Sequence, residues 1–322
     1  MATLTRDQQL KFFTLSILKA LSADPVIASL MRNATRYTGA TGSYSYGDTI
    51  DISIRDKKSV TVHTNFAVNP ASTYTKGTVT NFPITLTALA EANIYYDELD
   101  RVVSSGNEPM FNALTRGIAV DMLEAIEEDL YIRTFNLASI DTNVVGTSAT
   151  DLTVDDLIDL EMGIFQEREW KGAINLVLSP TYASQIKKNF KDAFTSLSLN
   201  DNMSLREGFI LNAAPNIRFY TSTKLPTPAT MSNITGAETT KLAFAFADES
   251  VALFNPAMRD ESNDAVGIKV NNESAGGMKY QITRFSDGSK VINEHYTKML
   301  ALYGSGIFRP TLVVPIKGGG II

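Results

Sequence analysis

The feature that most constrains this chain is a long extended excursion, predicted for residues 47–87. Apolar residues alternate with polar ones over 49–54, 60–62 and 84–86, and this two-residue period is typical of β-strands. A two-stranded excursion of this length buries little of its own surface. We therefore expect it to lie on a neighbouring copy of the chain.

A long helix is predicted over residues 107–137. Asn107 can cap its start, and Pro109 suits its first turn. Apolar residues recur every four positions along one stripe, at Ile118, Met122, Ile126 and Leu130. A helix of about 30 residues spans roughly 45 Å. We expect it to act as a strut along its domain rather than as one member of a bundle.

An amphipathic helix is predicted for residues 7–21, ahead of the excursion, and a second helix start follows at Asp24. The apolar positions of the first helix are Leu10, Phe13, Ile17 and Leu21. Two interpretations stay open. These helices either pack on the core of their own subunit or form an arm that docks on another protein.

A second domain is expected to begin near residue 150. A capping-box-like start at Thr153 opens a helix, residues 174–178 have the composition of a buried strand, and Ser179–Pro180 opens another helix. This alternation of strand and helix is typical of an α/β or α+β layer.

The remaining third of the chain is predicted to be mainly strand. Residues 221–241 are rich in serine and threonine, and we expect a surface loop there rather than core. The predicted strands are 242–246, 251–254, 267–270, 279–283 and 291–293, with a turn at Asp287–Gly288. Because Pro310 and Pro315 cannot donate to a β-ladder, the run 307–316 is predicted to be an edge strand or a strand that pairs partly with something outside the subunit.

Composition excludes several classes of function. The 322 residues include 29 basic and 35 acidic ones, and the net charge of −6 argues against tight binding of nucleic acid through phosphate neutralisation. The absence of cysteine excludes disulfides and thiolate chemistry. No secretory signal or apolar run long enough to span a membrane is evident, so we expect the chain to stay in the cytoplasm where it is made.

No catalytic motif is evident either, and no catalytic, cofactor-binding or metal-binding residue is predicted. His63 and His295 are far apart in sequence and are expected to have structural or surface roles. Three carboxylates fall on one face of the long helix, at Asp121, Glu124 and Glu128. They favour a solvated or salt-bridging face, with a divalent-cation site as the weaker alternative.

Opposite charges suggest how the excursion could meet a neighbour. The residues near its turn are basic, whereas the long helix is acidic. A basic tip on one copy could lie over the acidic helix of the next, although both charge runs could simply be solvated. The predicted inter-subunit contacts are Arg55, Lys57, Lys58, Asp121, Glu124 and Glu128.

The order of these parts resembles the major capsid proteins of tailed bacteriophages, which have the HK97-like fold. The resemblance covers nearly the whole chain and is most pronounced in its last third. There, the strand Val266–Val270, the hairpin at Asp287–Gly288 and the ending Arg309-Pro310-Thr311-Leu312-Val313-Val314 are similar to the family's returning strands. Val177-Leu178-Ser179-Pro180 is similar to a strand-to-helix junction common in the family.

The resemblance implies an α+β fold in five parts. These are an N-terminal arm at 1–46, an extended E-loop at 47–88, a peripheral domain with a spine helix at 89–149, an axial domain at 150–255 and returning peripheral-domain strands at 256–322.

The resemblance also implies a structural protein without a cofactor, and not an enzyme. Copies would self-assemble into hexamers and pentamers of an icosahedral shell that encloses double-stranded DNA. The implied partners are further copies, a scaffolding protein, a portal and, in some members, a decoration protein, with the shell assembled in the host cytoplasm and found in the virion. Two alternatives stay open: an encapsulin-type shell around cargo enzymes, and a soluble metal-dependent enzyme using the helix carboxylates.

Overall fold

The fold is known from a computed structural model. The described residues are 44–55, 79–97, 108–136, 154–186, 216–227, 230–231, 243–248, 250–258, 269–275, 278–287 and 294–316. The helices predicted over 7–21 and from Asp24, and the strand predicted at 60–62, lie outside them.

The long predicted helix is α1, Glu108–Phe135. Its apolar stripe faces the core, since Met122, Ile126 and Leu130 are buried and Ile118 is partly buried. The four-residue repeat is therefore a packing repeat, as predicted. At 28 residues the helix spans about 42 Å.

Two shorter helical segments follow α1. Helix α2, Val154–Ile158, continues directly into a π-helix at Asp159–Gln166, and a third helix, α3, occupies residues 180–186. The α2 and π-helix segment buries Leu157, Leu160 and Phe165. Helix was predicted at both places, and the π-helical turn was not.

The strands of the described residues form two sheets and a separate hairpin. In chain order they are β1 (Thr49–Arg55), β2 (Val79–Thr85), β3 (Ala88–Asp97), β4 (Ile174–Leu178), β5 (Ile217–Thr221), β6 (Ala243–Ala247), β7 (Val251–Phe254), β8 (Lys269–Ala275), β9 (Met278–Asp287), β10 (Glu294–Ile307) and β11 (Val313–Ile316).

The first sheet is antiparallel, in the order β3-β10-β9-β8, and β7 pairs with the end of β10. Helix α1 packs against it in the main hydrophobic core. Strand β10 starts at Glu294 and runs for 14 residues, a length that the alternation of residues did not predict. The short strand predicted at 291–293 lies outside the described residues.

The second sheet has the order β11-β6-β4-β5, and β4 and β5 pair in parallel. Every residue of β4, β6 and β11 is buried. Phe135, at the end of α1, stacks on Phe244 of β6 with ring centroids 4.1 Å apart. This contact joins the long helix to the second sheet.

Three details of the topology differ from the sequence analysis or refine it. The edge position predicted for the run 307–316 is confirmed for β11, which pairs only with β6 among the described strands, whereas Pro310–Leu312 of that run form a 3₁₀ helix. However, β11 belongs to the second sheet, although it falls in the range 256–322 assigned to returning peripheral strands. Conversely, β7 belongs to the first sheet, although it falls in the axial range 150–255. The domain limits themselves stay a prediction.

The prediction that 221–241 lies on the surface was wrong for part of that segment. Leu225 and Met231 are buried in the same core as the apolar stripe of α1. Both are apolar residues in a run rich in serine and threonine, and they pack in the core with α1 after the chain leaves β5. The prediction was based on the average composition of the run, which is polar, and so it did not identify these two buried residues.

Candidate assembly surface

The excursion begins as a regular antiparallel hairpin. Strands β1 and β2 pair in register from Thr49 opposite Thr85 to Arg55 opposite Val79. The chain enters through Gly47, whose φ of 92° lies in the left-handed region that favours glycine. Gly47 N donates to Leu86 O over 2.9 Å, and Leu86 N donates to Asp48 O over 2.9 Å, which closes the root of the hairpin.

The hairpin root is buried in its own subunit. Ile52, Ile84 and Leu86 are nearly inaccessible and pack with residues of β7 and β10, in particular Leu302. Phe82 meets Phe308 edge to face at 5.5 Å between ring centroids. The expectation that the excursion buries little of its surface is therefore wrong for its root.

The basic residues of the excursion were predicted to contact a neighbour. Arg55 is the last residue of β1, opposite Val79, and Lys57 and Lys58 lie outside the described residues. Their contact with an acidic helix stays a prediction.

The acidic residues on α1 fall into two groups. Asp121 and Glu128 are exposed, whereas Glu124 pairs with Lys224 of its own chain, with 2.6 Å between Oε2 and Nζ. This pairing raises the pKa of the Lys224 ammonium. Glu124 is thus engaged within its own chain, and contact of any of the three carboxylates with another copy stays a prediction.

A second set of polar contacts fastens the segment after β5 to α1. The Ser222 hydroxyl donates to Glu127 Oε1 over 2.8 Å, and the Tyr131 hydroxyl donates to the same oxygen over 3.2 Å. Burial, together with the nearby Glu127 carboxylate, raises the pKa of Tyr131 well above its usual value. Sequence reasoning missed Ser222 and Lys224 because both lie in the run expected to be a surface loop.

The face of the first sheet that points away from α1 is a second exposed surface. Tyr95 of β3 and Tyr296 of β10 stand directly opposite each other, 53% and 37% exposed, with ring centroids 5.2 Å apart. Two residues along, Lys298 Nζ lies 2.8 Å from Glu91 Oε2. The Lys298 hydrogen bond lowers the pKa of Glu91. This face is aromatic and charge-paired rather than strongly charged.

The metal-enzyme alternative requires a cluster of ligating side chains. No group of three or more metal-ligating side chains that could hold an ion occurs among them. Asp121, Glu124 and Glu128 are inside that range, and Glu124 is held by Lys224. His63 lies outside the described residues, and His295 stands opposite Tyr96 and Ser286 within the first sheet.

Within the described segments, no helix is long and apolar enough to cross a membrane.

Comparison with known proteins gives a fold. No protein family and no curated protein sequence matches the chain. Among solved structures, a chain of Mycobacterium phage Che8 is similar over 84% of this chain and 85% of its own, with a TM-score of 0.52 and 17% identity. A chain of the Cyanophage A-1(L) capsid asymmetric unit is similar over 92% of this chain and 93% of its own, with a TM-score of 0.52 and 10% identity.

These likenesses span most of both chains, so they concern the whole arrangement of hairpin, long helix and two sheets. At such low identity they show the fold and not the function. The α+β, HK97-like fold predicted from the sequence is confirmed.

Proposed function

We propose that this chain is the major capsid protein of a tailed bacteriophage, and that its copies form the hexamers and pentamers of an icosahedral shell around double-stranded DNA. The observation that carries the proposal is the similarity over 92% of the chain to the Cyanophage A-1(L) capsid asymmetric unit. That likeness extends over nearly the whole chain, which supports the role of a shell subunit rather than that of one shared domain.

The hairpin supports assembly on physical grounds. Its root is anchored in its own core through Ile52 and Ile84, and the chain between Arg55 and Val79 continues beyond the last described strand pair. The 23 residues 56–78 connect the two strands of that anchored base. We infer that this segment lies on a neighbouring copy, with Lys57 and Lys58 near that copy's Asp121 and Glu128.

The charge of the chain supports a container rather than a DNA-binding protein. A net charge of −6 does not favour tight contact with the phosphate backbone. The shell would enclose DNA without reading its sequence. We further propose that assembly takes place in the host cytoplasm with a scaffolding protein and a portal, and that the chain catalyses no reaction.

The first experiment asks whether the protein assembles. The recombinant chain is studied by electron microscopy and sedimentation velocity, alone and with a co-expressed candidate scaffolding protein. Closed shells or capsomer rings are the expected result. A monomer at every concentration, with and without scaffold, would overturn the proposal, and shells that hold cargo enzymes instead of DNA would favour the encapsulin alternative.

A second experiment tests the predicted contact. Deletion of Asp56–Tyr74 is expected to leave a folded subunit that closes no shell. The double reversal Lys57→Glu with Lys58→Glu is expected to weaken assembly most at low salt, where charge attraction is least screened. Adding Asp121→Lys with Glu128→Lys should then restore it.

The matched control reverses two exposed lysines on other elements, Lys171→Glu with Lys279→Glu. It makes the same change in net charge and is expected to leave assembly intact. Equal losses in both double variants would mean that total charge, and not this contact, governs assembly.

A further inference from the structure

Strand β10 carries two glycines where it passes the hairpin root. β10 pairs with β3 as far as Tyr303, and from Gly304 to Ile307 it pairs with β7. Gly304 and Gly306 lie in this second part. At Gly304 the strand therefore leaves β3, which begins at Ala88, and passes the last residues of β2.

The hairpin root rests directly on the backbone of these glycines. A Cβ atom at Gly304 would lie 2.5 Å from the Thr85 carbonyl oxygen and 3.0 Å from Ile84 Cγ2. A Cβ atom at Gly306 would lie 3.3 Å from Ile84 Cγ1. Distances below 3.0 Å are essentially never found for real Cβ atoms, so any side chain at Gly304 must displace β2.

Space, and not backbone conformation, is what requires glycine at these two positions. Among the glycines of the described residues, Gly47 has a positive φ, whereas Gly304 and Gly306 do not. The two glycines form a shallow recess in β10, which we call the glycine notch. Ile84 occupies it and is only 1% exposed.

Ile84 occupies the glycine notch at the root of the hairpin, and a small tilt at the root is amplified along the length of the hairpin. From Thr49 to Arg55 the hairpin extends for seven residues, or about 20 Å, so a tilt of about 10° at its root would move its far end by roughly 3.5 Å. Interfaces tolerate much smaller errors than this, on the order of 0.5 Å. A small change at the root is therefore a large change where the excursion would meet a neighbour.

We propose that the glycine notch at Gly304 and Gly306 sets the direction in which the hairpin leaves the subunit, and thereby decides whether copies join with the curvature that closes a shell. This inference rests on the proposed function. It makes the two glycines positioning residues for assembly, although they lie at the base of the hairpin and not at its tip.

The test compares Gly304→Ala with Gly117→Ala. Gly117 is the matched control, because a Cβ atom there meets nothing within 4 Å. Gly304→Ala is expected to yield subunits with wild-type circular dichroism and with the fraction of protein in closed shells reduced by about tenfold, which corresponds to a loss of about 1.4 kcal/mol in the free energy of association. Gly117→Ala is expected to assemble like the wild type.

A direct measurement of hairpin direction accompanies the assembly assay. The chain has no cysteine, so Thr80→Cys, near the far end of the hairpin opposite Ile54, and Ser184→Cys, both at exposed positions, can carry a pair of spin labels. The distance distribution between the labels is expected to shift in Gly304→Ala and to stay unchanged in Gly117→Ala. A folded Gly304→Ala variant that closes normal shells, or one whose label distance does not move, would overturn the proposal.

Gly306→Ala keeps the proposal testable should Gly304→Ala fail to fold. Its Cβ atom meets only the Ile84 side chain, with Cγ1 at 3.3 Å and Cδ1 at 3.6 Å, so a partial loss of shells is expected. Normal assembly by Gly306→Ala would then count against the notch. If the wild type itself forms no shells, the proposed function fails, whereas the label distances still decide whether the notch directs the hairpin.

Discussion

Ser222 donates a hydrogen bond to Glu127 over 2.8 Å, and this contact ties the segment after β5 to the middle of helix α1. Ser222 is buried, and its Oγ also accepts a hydrogen bond from the Lys224 backbone over 3.1 Å. The next apolar residue, Leu225, enters the core beside α1. One serine thus connects the second sheet to the helix that supports the first.

Replacing this serine should loosen that connection. In Ser222→Ala, the Glu127 carboxylate loses a buried donor, and we expect the free energy of unfolding to fall by about 1–3 kcal/mol. The free energies of unfolding of the variant and the wild type are measured by chemical denaturation. Ser184→Ala, on the exposed surface of α3, is the control and should change stability by less than about 0.5 kcal/mol. Equal stabilities of the two variants would show that the Ser222 contact is not stabilising.

The stack of Phe135 on Phe244 should be among the most sensitive contacts of the core. Both rings are fully buried, and Phe135→Ala is expected to lower the free energy of unfolding by about 3–5 kcal/mol through lost burial and a residual cavity. Val120→Ala, at an exposed position of the same helix, separates packing from helix propensity. A loss no larger than that of Val120→Ala would contradict the role of the stack.

Asn255, the residue after β7, joins β9 and β10 through its side-chain amide. Its Nδ2 donates to Leu302 O over 2.7 Å and to Lys279 O over 3.2 Å, and its Oδ1 accepts from Lys279 N. Asn255→Ala leaves these buried backbone groups without a partner, and we expect a loss of about 3 kcal/mol in unfolding free energy.

Asn255→Asp is expected to make the unfolding free energy depend on pH through this site. The new carboxylate would face two carbonyl oxygens in a buried place, so its pKa should be higher in the folded chain than in the unfolded one. A group of this kind favours the folded state only at low pH. The variant's deficit in unfolding free energy, relative to the wild type, should therefore be largest at neutral pH and shrink towards about pH 4. A deficit that does not change with pH would contradict this.

From the environment of the Tyr303 hydroxyl, we expect the free energy of unfolding to fall in alkali. Its hydroxyl donates to Asp129 Oδ2 over 2.7 Å, and burial, followed by this hydrogen bond, raises the pKa of the phenol far above its usual value. The unfolded chain releases this proton from about pH 10 upward, whereas the folded chain retains it. The stabilisation is thus complete below about pH 10 and is lost as the pH rises.

Tyr303→Phe should remove that part of the alkaline slope. Unfolding free energies measured between about pH 8 and pH 11 are expected to fall less steeply in the variant than in the wild type. At neutral pH the variant should be less stable by about 1–2 kcal/mol, because Asp129 loses a donor. Tyr46→Phe, at a 65% exposed position, should keep the wild-type slope.

Much of the secondary structure could be predicted from short stretches of sequence. The four-residue spacing of Met122, Ile126 and Leu130 indicated the buried face of α1, and the strands at 174–178 and 251–254 were predicted with the limits that the structure has. Each of these patterns is complete within one element, because helices and strands repeat every 3.6 and 2 residues.

The candidate site was less accessible to prediction. Asp121, Glu124 and Glu128 share a face by helical spacing, but the spacing could not indicate that Lys224, a hundred residues away, already pairs with Glu124. Leu225 gave a weak signal as an apolar residue in a polar run. Gly304 and Gly306 gave none, since a glycine needed for space looks like any other glycine.

The sequence by itself therefore determined the local elements, their order and, through that order, the resemblance to a known fold. Tertiary structure alone decided which elements meet: that β11 joins β6, that the segment after β5 closes on α1, and that β2 rests on Gly304. The physical reason is that periodicity is a property of neighbouring residues, whereas these contacts depend on the packing of distant segments around common cores.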